Sequence, residues 1–222
     1  MKGLHMKRDA FTMLELVFVI VILGIIAALA IPRLDRDLKQ GAADNILSAI
    51  RYTQHLALLD DKQKFNDAKW QRRFWHIVFG TCTGNDKYYM VGSDNNMTGS
   101  TNAYFTQNEA ALDPANGKAM FWTNGVDCST GGDNNVSENI FISKKYGIKT
   151  IAPSGGCSNL YVGFDHLGRP YSSGFPNSTK PNNAGHLSSM CTFTFTMSDD
   201  STFAIKIEPE TGYAYISGQN NS

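Results

Sequence analysis

The sequence predicts an α+β protein in which one long N-terminal helix, half membrane segment and half amphipathic, packs on an antiparallel β-sheet domain. Three observations carry this. Residues 16–31 are apolar without a break. Apolar residues then recur at near-helical spacing to about residue 59. From residue 70 onward the period becomes alternating, with short, turn-rich connectors.

The first element spans residues 11–32. Leu16–Ile31 is apolar throughout, and the run extends back to Phe11 with interruptions at Thr12 and Glu15. A helix of about 20 residues crosses a hydrocarbon core. Lys2, Lys7 and Arg8 precede it, so the N-terminus should stay cytoplasmic and the bulk of the chain outside. A carboxylate inside a bilayer costs about 2.5–3.5 kcal/mol on insertion scales, so Glu15 calls for a cationic partner. Gly24 weakens the helix. Pro32 cannot donate to the Ala28 carbonyl, and a kink is expected there. In the second element, residues 33–59, Leu34, Leu38, Ala42, Ile46, Ile50 and Ala57 mark one face, with Leu47 and Leu58 beside it.

Residues 60–222 form the β-rich part. Strands are expected at 74–79, 87–92, 118–122, 139–143, 159–165, 191–198, 202–208 and 212–217, the last three as a meander turning at Asp199-Asp200 and at PETG. A polar insert, 93–138, is rich in Asn, Gly, Ser, Thr and Asp. Four cysteines, Cys82, Cys128, Cys157 and Cys191, all lie beyond the apolar run, and none forms a C-x-x-C pair. An even count outside an anchor indicates two disulfides in an oxidising compartment. Of three connectivities, we favour Cys82–Cys128 and Cys157–Cys191.

Function classes narrow by composition. Twenty basic and twenty acidic residues cancel, whereas a phosphate-gripping protein carries a basic excess. The five histidines form no H-E-x-x-H and pair with no Cys or Ser nucleophile, and no phosphate-cradling Gly loop occurs. We therefore expect no enzyme, no cofactor and no metal. The oxygen-rich loops Asp94–Thr98 and Asp127–Asn135 lack EF-hand spacing. DNNMT and DNNVS place Asn96 and Asn135 in N-x-[ST] sequons with an acid two residues before, which resembles the extended acceptor of bacterial N-glycosylation; Asn177 has a bare sequon. Lys144, Lys145 and Lys149 are the one notable basic cluster of the outer part.

The string A-FTMLELVFVIVILGIIAALAIP resembles the class III signal of type IV pilins and type II secretion pseudopilins. The resemblance implies a 1–10 leader cut by a prepilin peptidase between Ala10 and Phe11, N-methylation of Phe11, and retention of 11–32 as membrane and filament-core helix. The family's usual residue before the cut is Gly; here it is Ala10. Glu15 falls at the family's glutamate, the fifth mature position, where it would neutralise the Phe11 amine of its own or a neighbouring subunit during filament assembly. Pro32 also matches a family proline. The later W-x-I-x-F, YVGFD-x-x-G and FAIKI-x-x-x-TGYAYI segments are similar to the minor pseudopilin of H type. That subgroup implies a single-pass inner-membrane protein with a periplasmic domain, and a structural subunit that helps initiate or cap a type II secretion pseudopilus. Its partners would be other minor pseudopilins, the major pseudopilin and the prepilin peptidase. The alternative is a minor pilin of a type IV pilus or competence filament. Losing the leader removes three basic residues and one acidic one, leaving 17 against 19, a net of −2, so DNA is not an expected partner.

Overall fold

The structure is a computed structural model that describes residues 13–98, 103–128 and 135–219, with the side chains of 27–37 left out. The chain divides into two compact units, 1–38 and 39–222. Helix α1, Met13–Leu59, is assigned without interruption through Gly24 and Pro32. The second unit adds β1 (Trp75–Thr81), β2 (Lys87–Gly92), α2 (Ile142–Tyr146), β3 (Ile148–Gly155), β4 (Tyr161–Phe164), β5 (Pro170–Tyr171), β6 (Cys191–Met197), β7 (Thr202–Ile207) and β8 (Ala214–Ile216).

The β-rich part holds two sheets, each four-stranded and antiparallel. Their orders are β2-β1-β4-β5 and β3-β6-β7-β8. Three strands of the second, β6, β7 and β8, read directly from sequence. Cys191, Phe193, Phe195 and Met197 point inward and the threonines between them are half-buried, the pattern of a sheet with one wet face. In the first sheet β1 is buried along nearly its whole length, so both of its faces are covered. On one face Phe79 meets Phe193 and Phe195 of the second sheet at 5.1 and 5.6 Å between ring centroids. On the other, His76 meets Phe105 of the insert and Phe175 at 5.2 and 5.4 Å. Gly92 makes room for that cover: a Cβ there would lie 2.3 Å from the Phe105 ring.

The helical face from Ala42 onward is buried at Ala42, Ala43, Ile46, Leu47, Ala49, Ile50, Thr53 and Ala57, the stripe that the 3.6-residue period dictates. Leu38 and Leu58, expected on that face, are exposed instead. Polar bonds fix the helix register. The Arg51 guanidinium donates twice to the Ala214 carbonyl, at 3.1 and 2.9 Å. Gln54 Nε2 donates to the carbonyls of Gly168 (2.9 Å) and Thr211 (2.8 Å). Gly212 permits the second contact, having φ +67° and no space for a Cβ beside the Gly168 carbonyl.

Two expected strands are corrected. Residues 139–143 lie in a 3-10 turn, Glu138–Ile140, and in α2, which ends on Gly147 in the left-handed conformation. The consecutive burial of Ile140, Phe141 and Ile142 imitates a strand, but the K-K-Y-G ending is a helix stop. Residues 118–122 form no strand, only isolated bridges such as Leu112↔Ala119 and Ala119↔Val136. The segment covers the edge of β2, where the Val91 N–H donates to the Met120 carbonyl at 3.0 Å and the Ala111 N–H to the Val91 carbonyl at 2.8 Å. A covered edge cannot template pairing with another chain. The sequence pattern also missed β3 and β5. β3 carries Pro153, which is tolerated because β6 is its only partner strand.

Cys82 is joined to Cys128, and Cys157 to Cys191, with Cα separations of 5.6 and 4.8 Å. The first bridge pins the insert to the end of β1. The second ties the chain just past β3 to the start of β6.

Candidate functional site

The first unit presents an unusual surface. Every large apolar side chain from Met13 to Ile26 is exposed, from 46% at Val17 to 87% at Met13. No polar stripe interrupts them, and a helix apolar all round needs lipid or other protein around it. Among the described residues no helix is long and apolar enough to cross a membrane. Glu15 is exposed in the first turn of α1, where the positive end of the helix dipole favours a carboxylate. Ala10 and Phe11, the expected cleavage and methylation positions, lie outside the described residues. A Cβ at Gly24 would meet nothing within 4 Å; the Pro32 side chain is not among those described.

The insert is organised around Asp113, a residue that sequence reading did not single out. It is 6% exposed. Its carboxylate accepts from the Ala115 N–H at 2.9 Å, from Asn139 Nδ2 at 2.8 Å and from the Ser137 hydroxyl. Burial alone would raise its pKa. The bonds from Ser137, Ala115 and Asn139, with the charge of Lys145, outweigh burial and hold the carboxyl below the ordinary carboxylate range. The folded pKa therefore lies under the unfolded one. The stabilisation is whole above about pH 4 and fades as pH falls through the folded value. Thermal melts of the wild type should decline in that acid range. Asp113→Asn should melt lower near neutral pH and decline less steeply in acid; an unaltered acid profile would remove Asp113 as the source.

The other candidate positions are engaged locally. Asp94 is buried and accepts from the Thr98 N–H at 3.1 Å. Glu109 accepts from the N–H groups of Asn96 (2.8 Å) and Thr106 (2.9 Å). Among the described residues no group of three or more His, Cys, Asp or Glu side chains is placed to hold a metal ion. Asn96 and Asn135 are both exposed, but their sequons differ. The Thr98 hydroxyl donates to Asn96 Oδ1 at the surface, whereas Ser137 is fully buried and held on Asp113. The lysine cluster is dispersed over elements. Lys149 pairs with Asp200 at 2.9 Å, and Lys145 lies over the Tyr146 ring at 5.5 Å and donates to Asn139. Lys144 and Lys145 occupy the last turn of α2, where helix carbonyls favour cations. His76 is a core residue, its ring nitrogens 2.6 and 2.7 Å from the carbonyls of Phe74 and Ala103.

Residues 5–31 match the family model described as the prokaryotic N-terminal methylation motif. No curated protein matches the chain, and no solved structure does.

Proposed function

We propose that this chain is a membrane-anchored minor pseudopilin of H type, a structural subunit that helps initiate or cap the periplasmic pseudopilus of a type II secretion system. The observation that carries the reading is the methylation motif matched at 5–31, together with the exposure of every large apolar side chain from Met13 to Ile26. A prepilin peptidase would cut between Ala10 and Phe11 and leave residues 11–32 as anchor and filament-core segment, with N-methylated Phe11 leading it. Glu15 would then pair with the Phe11 amine of its own or the adjacent subunit. The 39–222 unit would face the periplasm, an oxidising compartment that suits the two disulfides. Its neighbours would be other minor pseudopilins and the major one. The role is mechanical assembly, without catalysis.

The test is a clean deletion, assayed in parallel for culture-supernatant proteins and for piliation with DNA uptake. Loss of secreted proteins with pili and uptake intact is the expected result. Intact secretion with loss of pili or uptake would overturn it in favour of a minor pilin.

A further inference from the structure

Beside the turn that closes β4 onto β5, a cleft of about 300 Å³ opens next to Trp70 and Tyr171. Its floor is already saturated. Buried Gln71 exchanges two bonds with the Asn182 backbone, donating through Nε2 to the carbonyl at 2.7 Å and accepting from the N–H at 2.9 Å. The Asp165 side chain is 2% exposed. It accepts from the N–H groups of Leu167 (3.0 Å) and Arg169 (2.9 Å), and from Arg169 Nε and Nη2 at 2.8 and 2.7 Å. That ion pair cancels the charge of the floor. His166, at the edge, is 3.7 Å from the Asp61 carboxylate.

The rim is different. The side-chain ends of Gln63, Trp70, Tyr171 and Asn183 have no hydrogen-bond partner among the described residues. Amide and phenol groups both donate and accept, and indole donates. The charges of the floor are already paired with each other, so the cleft offers a charged ligand no unpaired opposite charge. What these groups match is a neutral molecule with many hydroxyls and one apolar face, and the cleft is at the small end of ligand-site volumes. We propose that this cleft binds a single neutral pyranose ring, its C–H face on Trp70 and its hydroxyls on Gln63, Asn183 and the free edge of Arg169. The site belongs to the 39–222 unit and does not depend on the filament reading.

The test is ¹⁵N–¹H NMR on the full chain in a phosphocholine detergent, which has no sugar headgroup. It would be titrated separately with the methyl glycosides of glucose, galactose and mannose and with N-acetylglucosamine. At least one should give saturable millimolar shifts confined to the amides of 165–169, 171, 182 and 183 and the Trp70 indole. Asn183→Ala, at an exposed position, should weaken binding about 2- to 12-fold, the loss of one hydrogen bond. Trp70→Ala should abolish it; because Trp70 packs on Phe74 at 5.4 Å, unchanged dispersion elsewhere in its spectrum must accompany the loss. No saturable shift with any of the four sugars would overturn the proposal. Equal shifts of the same amides by tetra-alanine, sodium phosphate or arginine hydrochloride would also overturn it.

Discussion

If the chain is the secretion pseudopilin proposed above, Glu15→Ala is expected to abolish secretion in a complementation assay while leaving the 39–222 unit folded. Between Asp9 and Arg33 the sequence contains one ionisable side chain, Glu15, and the described apolar side chains following it are all exposed. After cleavage the Phe11 amine would have a pKa near 7.7–8.0 and be largely cationic at neutral pH. Without the carboxylate that cation would enter an apolar environment unpaired, at a cost of about 2.5–3.5 kcal/mol. A penalty of that size corresponds to about 70- to 400-fold in an association constant, and it recurs with every subunit added. The readouts are supernatant proteins, recovery of the chain in sheared filaments, and the melting temperature of the purified protein. Glu15→Asp keeps the charge on a shorter arm and should retain part of the activity. Wild-type secretion by Glu15→Ala would end the assembly role assigned to this residue.

The second large effect is expected from the disulfides. Their sequence separations are 46 and 34 residues, and loops of that length correspond to about 4 kcal/mol each by chain entropy. Against a typical total of about 5–15 kcal/mol, either bridge is a substantial share. For a chain of this size the loss of one should lower the melting temperature by about 8–16 °C. The two losses should differ in kind. Cys157→Ser with Cys191→Ser frees the junction of β3 and β6 and should unfold the second sheet cooperatively. Cys82→Ser with Cys128→Ser releases the insert from β1, so hydrogen exchange should rise first at the amides of Val91 and Ala111, which the insert covers or which lie within it. Melts with and without reductant, followed by exchange on each variant, separate the cases. A shift below about 3 °C for both pairs would mean that the bridges add little to a core that already suffices.

What the sequence made legible depended on period. The helical stripe from Ala42 to Ala57 and the β6–β7–β8 meander each have one buried face, so periods of 3.6 and 2 are written directly into their residues. β1 and β2 were legible as strands too, although cover on both faces of the first sheet erases alternation in their burial. Three consecutive buried apolar residues at Ile140–Ile142 fit a turn of helix as well as a strand, and only Gly147 distinguishes them. The N-terminal methylation motif was legible because its residues, 5–31, follow one another in the chain. Asp113 was not, because Ser137 and Asn139 stand 24 and 26 residues away. The rim of the small cleft was hidden for the same reason: Gln63 and Asn183 are remote in sequence and meet only after folding.

The bonds of Arg51 and Gln54 have a mechanical consequence. Arg51 holds β8 directly, and Gln54 holds two turns, one between β4 and β5 and one between β7 and β8. A tensile load arriving along α1 is therefore shared by both sheets at once rather than peeled from one strand at a time. The attachment works like a riveted lap joint loaded in shear, in which several fasteners must fail together. A pull on the 39–59 stretch of α1 would reach both sheets without first opening the hydrophobic seam beneath it.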